Sequence, residues 1–186
     1  MRIISGKHKG RRIKAPKNLP IRPTTDKAKE ALFNILNNRY HFPVLKVLDL
    51  FTGSGGISYE FASRGTKDIQ AVDMHYPVIK FVKKTSGDFD FPIKAIKYDA
   101  KRFLEKTTDT YDIVFADPPY DFTPEELKEM IDTAFKRNLI NEDGMFILEH
   151  IDRYHFDDHP YFKESRKYGL SRFSFFGPES SSEKSQ

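Results

Sequence analysis

No cysteine occurs among the 186 residues, which excludes disulfides and thiolate metal sites and fits a cytoplasmic setting. No apolar run approaches the ~18 residues a membrane helix needs, and the amino terminus has no apolar core of signal-peptide type. The six histidines suggest no metal site. Acidic residues are missing altogether from positions 1–22, which carry eight basic ones: Arg2, Lys7, Lys9, Arg11, Arg12, Lys14, Lys17 and Arg22. Subtracting those eight charges from the net +4 leaves −4 for the chain from Pro23 onward. A basic arm on a slightly acidic body is the asymmetry of a nucleic-acid binder, since phosphate contacts supply most of the affinity. The plainer reading is a solvated tail.

What is present has a clear order. Within the arm, Arg2–Ser5 and Arg11–Lys14 are short β-prone pieces around a turn-like Gly6-Lys7-His8-Lys9-Gly10, predicting a hairpin. A proline-rich linker follows. Ala28, Ala31, Leu32, Ile35 and Leu36 then recur at helical spacing behind Thr25 or Asp26 as N-cap. From Val44, strands at Lys46–Leu50, Asp68–Asp73, Ile93–Asp99, Asp112–Asp117 and Met145–Glu149 alternate with helices near 56–64, 76–85 and 100–106. The clearest helix opens on a Thr123/Glu126 capping box with Pro124 in first position. Such alternation predicts a doubly wound, mostly parallel α/β sheet. Two strands around Tyr168-Gly169 predict an antiparallel hairpin at its edge.

Two turns carry the chemistry. After the first strand comes Asp49-Leu50-Phe51-Thr52-Gly53-Ser54-Gly55-Gly56, where glycines let backbone amides approach a ligand. Asp73 ends the second strand, where a carboxylate can accept from ribose hydroxyls. The third glycine of a dinucleotide fingerprint is absent, its place taken by Ser58. An acidic Asp49 would repel a pyrophosphate but favour a ligand bearing an ammonium and a sulfonium, so charge prefers S-adenosylmethionine to NAD. The other turn is Asp117-Pro118-Pro119-Tyr120, ending an apolar strand on two prolines that fix φ and remove amide donors. If strands 46–50 and 112–117 are central neighbours, the proline turn faces whatever the glycine loop holds.

Together, DLFTGSGG, Val72-Asp73, Tyr98-Asp99-Ala100 and DPPY resemble the S-adenosylmethionine-dependent amino-methyltransferases. GKHKGRRI (6–13), RPTTDKAKEALFNIL (22–36) and the 49–55 loop are similar to the RsmD family, which methylates the exocyclic amine of one guanine in small-subunit ribosomal RNA. The resemblance runs from Met1 to about Phe176. It implies a Rossmann-like methyltransferase fold, with residues 1–22 as an RNA-binding arm, 23–176 as the catalytic domain and 177–186 as a disordered tail. It further implies that Asp49, Phe51, Gly53, Ser54 and Gly55 frame the methionine part of S-adenosylmethionine, that Asp73 holds its ribose, and that Asp99 and Ala100 border its adenine. Asp117, Pro118, Pro119 and Tyr120 would receive the base, and Lys7, His8, Lys9, Arg11, Arg12, Arg22 and Thr24 would meet RNA. Four positions depart from the family pattern: Asp73 for the usual Glu, Thr52 and Gly56 where Ala is common, and Thr85 where an Asn often stands.

Each residue also has a plainer role: Asp99 as a helix cap, Phe51 as core, Tyr120 as a pocket wall, Arg22 and Thr24 as ties for the linker. The expected partner is ribosomal RNA or the assembling small subunit, without membrane or metal, and the expected state is a monomer. Three other readings compete: a DNA adenine or cytosine amino-methyltransferase, a non-catalytic RNA-binding assembly factor, and an NAD-dependent enzyme.

Overall fold

The computed structural model describes residues 1–179. They divide into two compact units, Met1–Ala100 and a second that begins at Lys101. Among the described residues no helix is long and apolar enough to cross a membrane.

In the first unit, α1 (Asp26–Asn37) starts at Thr25, whose side-chain oxygen accepts the Ala28 N–H at 3.2 Å. Then follow β1 (Lys46–Leu50), α2 (Gly56–Ser63), β2 (Asp68–Asp73), α3 (Tyr76–Phe89) and β3 (Ile93–Lys97). The strands are parallel in the order β3-β2-β1, with Leu50 abreast of Val72 and Asp73 abreast of Lys97. Nearly every residue of β1 and β2 is buried, as expected of parallel strands covered on both faces. Their boundaries match the sequence reading. By contrast, α3 runs four residues further, through Gly87, and stops where Asp90 turns left-handed (φ 54°).

The basic arm is built into this unit. Its hairpin is reduced to one antiparallel bridge, Arg2 with Arg12, supported by bonds from Ile3 N–H to Arg11 O (2.9 Å) and Gly10 N–H to Ile3 O (2.8 Å). Ile3 and Ile13 sink into the same cluster as Tyr59, Val78, Ile79 and Val82. The dock is Glu60 on α2, wholly buried, whose carboxylate accepts the Ile4 and Ser5 N–H groups at 2.9 and 3.0 Å. Arg64 Nε (3.0 Å) and Lys29 Nζ (3.7 Å) neutralise it. A charge taken out of water needs such donors on all sides. Gly6 (φ +85°) lies so close to Ser63 that a Cβ would stand 1.9 Å from its carbonyl oxygen, so only glycine fits.

The second unit contains most of α4 (Ala100–Lys106), then β4 (Tyr111–Ala116), α5 (Pro124–Lys136), β5 (Ile140–Ile151), β6 (Phe162–Tyr168) and β7 (Ser171–Phe176). β4 and β5 are parallel, while β5–β7 and β7–β6 are antiparallel, giving the order β4-β5-β7-β6. The Thr123/Glu126 capping box forms in both directions. β5 begins five residues before the predicted start, because pairing with β4 resumes across a register shift between Tyr111 and Ile113. Of the tail expected to be disordered, residues 180–186 lie outside the described residues; Gly177 N–H donates to Tyr161 O at 2.9 Å.

Candidate active site

The glycine loop is strung between two strand-end carboxylates. Thr52 N–H bonds Val72 O at 2.9 Å, and Gly53 N–H donates to Asp73 Oδ2 at 3.2 Å, so the loop leans on the end of β2. Left-handed φ angles at Phe51 (56°), Gly53 (52°) and Gly55 (84°) make the turn. Gly55 has a second reason to be glycine. The Tyr59 ring fills the space beside it, and a Cβ there would meet the Tyr59 hydroxyl oxygen at 2.5 Å. That hydroxyl is buried, and Thr85 stands near it without completing a hydrogen bond. Ser54 and Gly56 lie under the Met1 side chain, with Ser54 Oγ 3.9 Å from its sulfur.

Asp49 is 1 % exposed. Its Oδ2 accepts from Thr52 Oγ1 at 2.7 Å and Ser58 Oγ at 2.6 Å. Burial pushes its pKa up to about 6, the two hydroxyls oppose that rise, and the Asp73 charge adds to it. The folded state therefore keeps a proton that the unfolded chain gives up near pH 4. The ionised carboxylate costs stability above pH 6, on the order of 3 kcal/mol at most, and the cost fades as pH falls toward 4. Asp49→Asn should thus melt at or above the wild-type temperature at pH 8, the gap closing between pH 6 and 4. Thermal melts across that range check it; a clearly lower melting point at pH 8 would contradict a strained carboxylate.

Asp73 is nearly buried, and its Oδ1 accepts the His75 N–H at 3.0 Å and meets His75 Nδ1 at 2.9 Å. Tyr98 N–H donates to Asp73 O at 3.0 Å, which brings the end of β3 beside it. Asp99 is half-buried just before α4, and Ala100 is the buried first residue of that helix. Exposed Met74, Tyr76 and Tyr98 lie at the ends of β2 and β3.

In the second unit, Asp117 follows β4 half-buried, Pro118 is buried, Pro119 is exposed and Tyr120 is 46 % exposed. Pro118, Pro119 and Tyr120 border a cleft completed by Phe122, Leu127, Tyr154 and the end of β5, Glu149 to Ile151. His150 forms part of this rim. Burial holds its pKa down at about 4. A neutral ring then donates from Nδ1 to Ile151 O (2.9 Å) and accepts at Nε2 from the Ser174 hydroxyl (2.7 Å). His155 and His159 are four residues apart but in no helix, and His159 Nε2 meets Asp132 at 3.1 Å.

On the arm, Lys7, Lys9, Arg11 and Arg12 are exposed, as is Arg22, while Thr24 is half-buried. His8 packs edge-on against Phe89 and Phe91, at 5.5 and 5.1 Å, and Arg11 lies over Phe89 at 5.8 Å. Burial lowers the His8 pKa, with further help from Lys7 and Arg11.

A family model described as conserved hypothetical protein 95 matches residues 1–177. A Bacillus subtilis protein named putative rRNA methyltransferase YlbH is 37% identical over 155 residues, covering 81% of this chain and 82% of the relative. The chain belongs to the RsmD family of S-adenosylmethionine-dependent methyltransferases. The ribosomal RNA small subunit methyltransferase D of Buchnera aphidicola is 31% identical over 150 residues, 80% of this chain and 75% of that one. A solved structure, the putative methyltransferase yhhF from Escherichia coli, matches with a TM-score of 0.82 at 26% identity over 95% of this chain and 96% of that one. The fold is the Rossmann-like α/β fold that the sequence predicts, with antiparallel C-terminal strands.

Within that family frame, one departure acquires a physical role. Thr52, where Ala is common, supplies one hydroxyl to Asp49, and Ser58 supplies the other. Both were readable as polar residues near a carboxylate, but nothing in the chain signalled that the carboxylate is buried. Glu60 and His150 carry no sequence signal of their burial, since charged and polar residues on a helix or at a strand end usually face water.

Proposed function

We propose that this protein transfers a methyl group from S-adenosylmethionine to the exocyclic amine of a guanine in small-subunit ribosomal RNA. The observation that carries the reading is the glycine loop: open to close approach, tethered to Asp73, and bearing in Asp49 a buried carboxylate whose charge a cationic ligand would offset. That donor set fits the ammonium and ribose hydroxyls of S-adenosylmethionine, with Asp49 for the first and Asp73 for the second. The names of the relatives supply the RNA class.

When bound, the cofactor supplies an electrophilic methyl on a sulfonium. The remaining work falls to the proline turn. An exocyclic aromatic amine is a weak nucleophile, because its lone pair is drawn into the ring. Asp117 and the Pro118 carbonyl accept its two hydrogens and favour a pyramidal nitrogen with an available lone pair, and the prolines hold that carbonyl rigid. Nitrogen would gain the methyl carbon as the sulfur–methyl bond breaks, its electron pair staying on sulfur as a neutral thioether, and would shed a proton that Asp117 accepts and passes to water. Tyr120, half-exposed beside the cleft, stacks on the base. The RNA contacts of the arm position without reading sequence.

Mass spectrometry of ribosomal RNA from a strain lacking this protein, with and without complementation, tests the proposal. One N2-methylguanine should vanish and return. An unchanged small-subunit RNA, or a lost methyl on a different base, overturns it.

A further inference from the structure

We propose that the outer face of α3 carries a phosphate-binding track, formed by Lys80, Lys83 and Gly87, that continues the RNA surface of the arm. The proposal rests on the RNA reading above and goes beyond it by naming a second contact surface. Residues 74–97 hold five lysines and two aspartates, a local +3. Taking that from the −4 of the chain beyond residue 22 leaves −7 for the rest, so the positive charge of the body is concentrated here. Within α3, Val78, Ile79, Val82, Thr85 and Ser86 are buried, whereas Lys80, Lys83, Lys84 and Gly87 are exposed. Steps of three and four residues place Lys80, Lys83 and Gly87 one above the other, roughly 5–6 Å apart per step. Lys84, beside them, is engaged by Asp88.

A row of lysines on a helix is commonly no more than a solvated face. Two observations set this one apart. The first is continuity: the carboxyl end of α3 meets the arm, with His8 packed on Phe89 and Phe91 and Arg11 over the Phe89 ring at 5.8 Å. Ile3 and Ile13 join the same cluster as Val78, Ile79 and Val82. The exposed cations of the arm and of α3 therefore border one another. The second is Gly87. Its backbone is ordinary helix, and a Cβ there would meet nothing within 4 Å. The fold has no need of glycine at this position, where a side chain would steady the helix. A bare turn on a cationic stripe suits a ligand whose own backbone lies close against the helix. A sugar–phosphate strand is such a ligand, its charges met by the lysine ammoniums.

The test measures binding of the protein to small-subunit ribosomal RNA over a range of salt concentrations. In the double variant Lys80→Gln, Lys83→Gln, the slope of log affinity against log salt should fall by about 1.5, and affinity near 0.1 M salt should drop roughly 30-fold, because two phosphates are lost. Gly87→Leu changes no charge. Its melting temperature should rise and its salt slope should stay, while its RNA affinity falls roughly fivefold or more as the added bulk blocks close approach. S-adenosylmethionine affinity should hold in both variants. A purely structural Gly87 would not move stability and RNA binding in opposite directions. A lysine variant with the wild-type slope refutes the track and returns the stripe to a solvated face or a site for an acidic protein. Undiminished RNA affinity in Gly87→Leu refutes the close approach. Absence of salt-dependent RNA binding by the wild type would instead defeat the underlying RNA reading.

Discussion

Asp117→Ala should lose roughly 10³-fold or more of methyl transfer while S-adenosylmethionine binding stays within about twofold. The two effects separate because the proposal gives the cofactor to the glycine loop and Asp73 and the amine to Asp117. Alanine removes an acceptor for an amine hydrogen together with the group that takes the released proton, and the Pro118 carbonyl is left to act alone. Asp117→Asn keeps an oxygen acceptor but loses the charge, so it should fall between the two. Labelled-methyl incorporation into small-subunit RNA measures transfer, and calorimetric titration measures cofactor binding. Thermal melts guard against a folding defect, since Asp117 also makes contacts within the protein. Turnover within tenfold of wild type would remove Asp117 from the mechanism. Equal loss of cofactor binding would move it to the cofactor site.

How much of this could be read in the chain depends on how local the cause is. β1 and β2 begin and end where predicted, because apolar runs stop at a glycine turn and at a strand-end Asp. The capping box at Thr123 is a four-residue signal and formed as read. β5 has no such local cause. Asn141-Glu142-Asp143-Gly144 has the composition of a loop, yet the strand runs through it past a register shift. Gly144 is there because a Cβ would come 2.7 Å from Asp112 O, a constraint imposed by another strand. α3 likewise passes through Gly87 because Asp90 closes it in a left-handed turn. In the site, glycines and prolines announced both turns. The burial of Asp49, and the service of Thr52 and Ser58 to it, arise from packing that periodicity does not encode.

The arm shows the same division between legible charge and hidden packing, and it dictates how its RNA role must be tested. Removing residues 1–16 outright would strip Ile3 and Ile13 from the core and take two backbone donors from the buried Glu60 carboxylate. A deletion would therefore report instability and RNA affinity together. The docking bonds that matter run through the backbone, including Lys7 N–H to Ser63 O at 2.8 Å and His8 N–H to Ser63 Oγ at 3.0 Å. Side-chain charge can thus be removed alone. Changing Lys7, Lys9, Arg11 and Arg12 together to Ser should leave the melting temperature nearly unchanged, since all four are exposed. If each meets one phosphate, the slope of log affinity against log salt should fall by about 3, and RNA binding near 0.1 M salt should weaken roughly 10²- to 10³-fold. S-adenosylmethionine affinity should hold, because Met1 and Ile21, the arm side chains beside Gly56 and Gly53, are kept. A salt slope identical to wild type would assign the arm to the core alone, and the phosphate contacts would then have to be sought on another face of the protein.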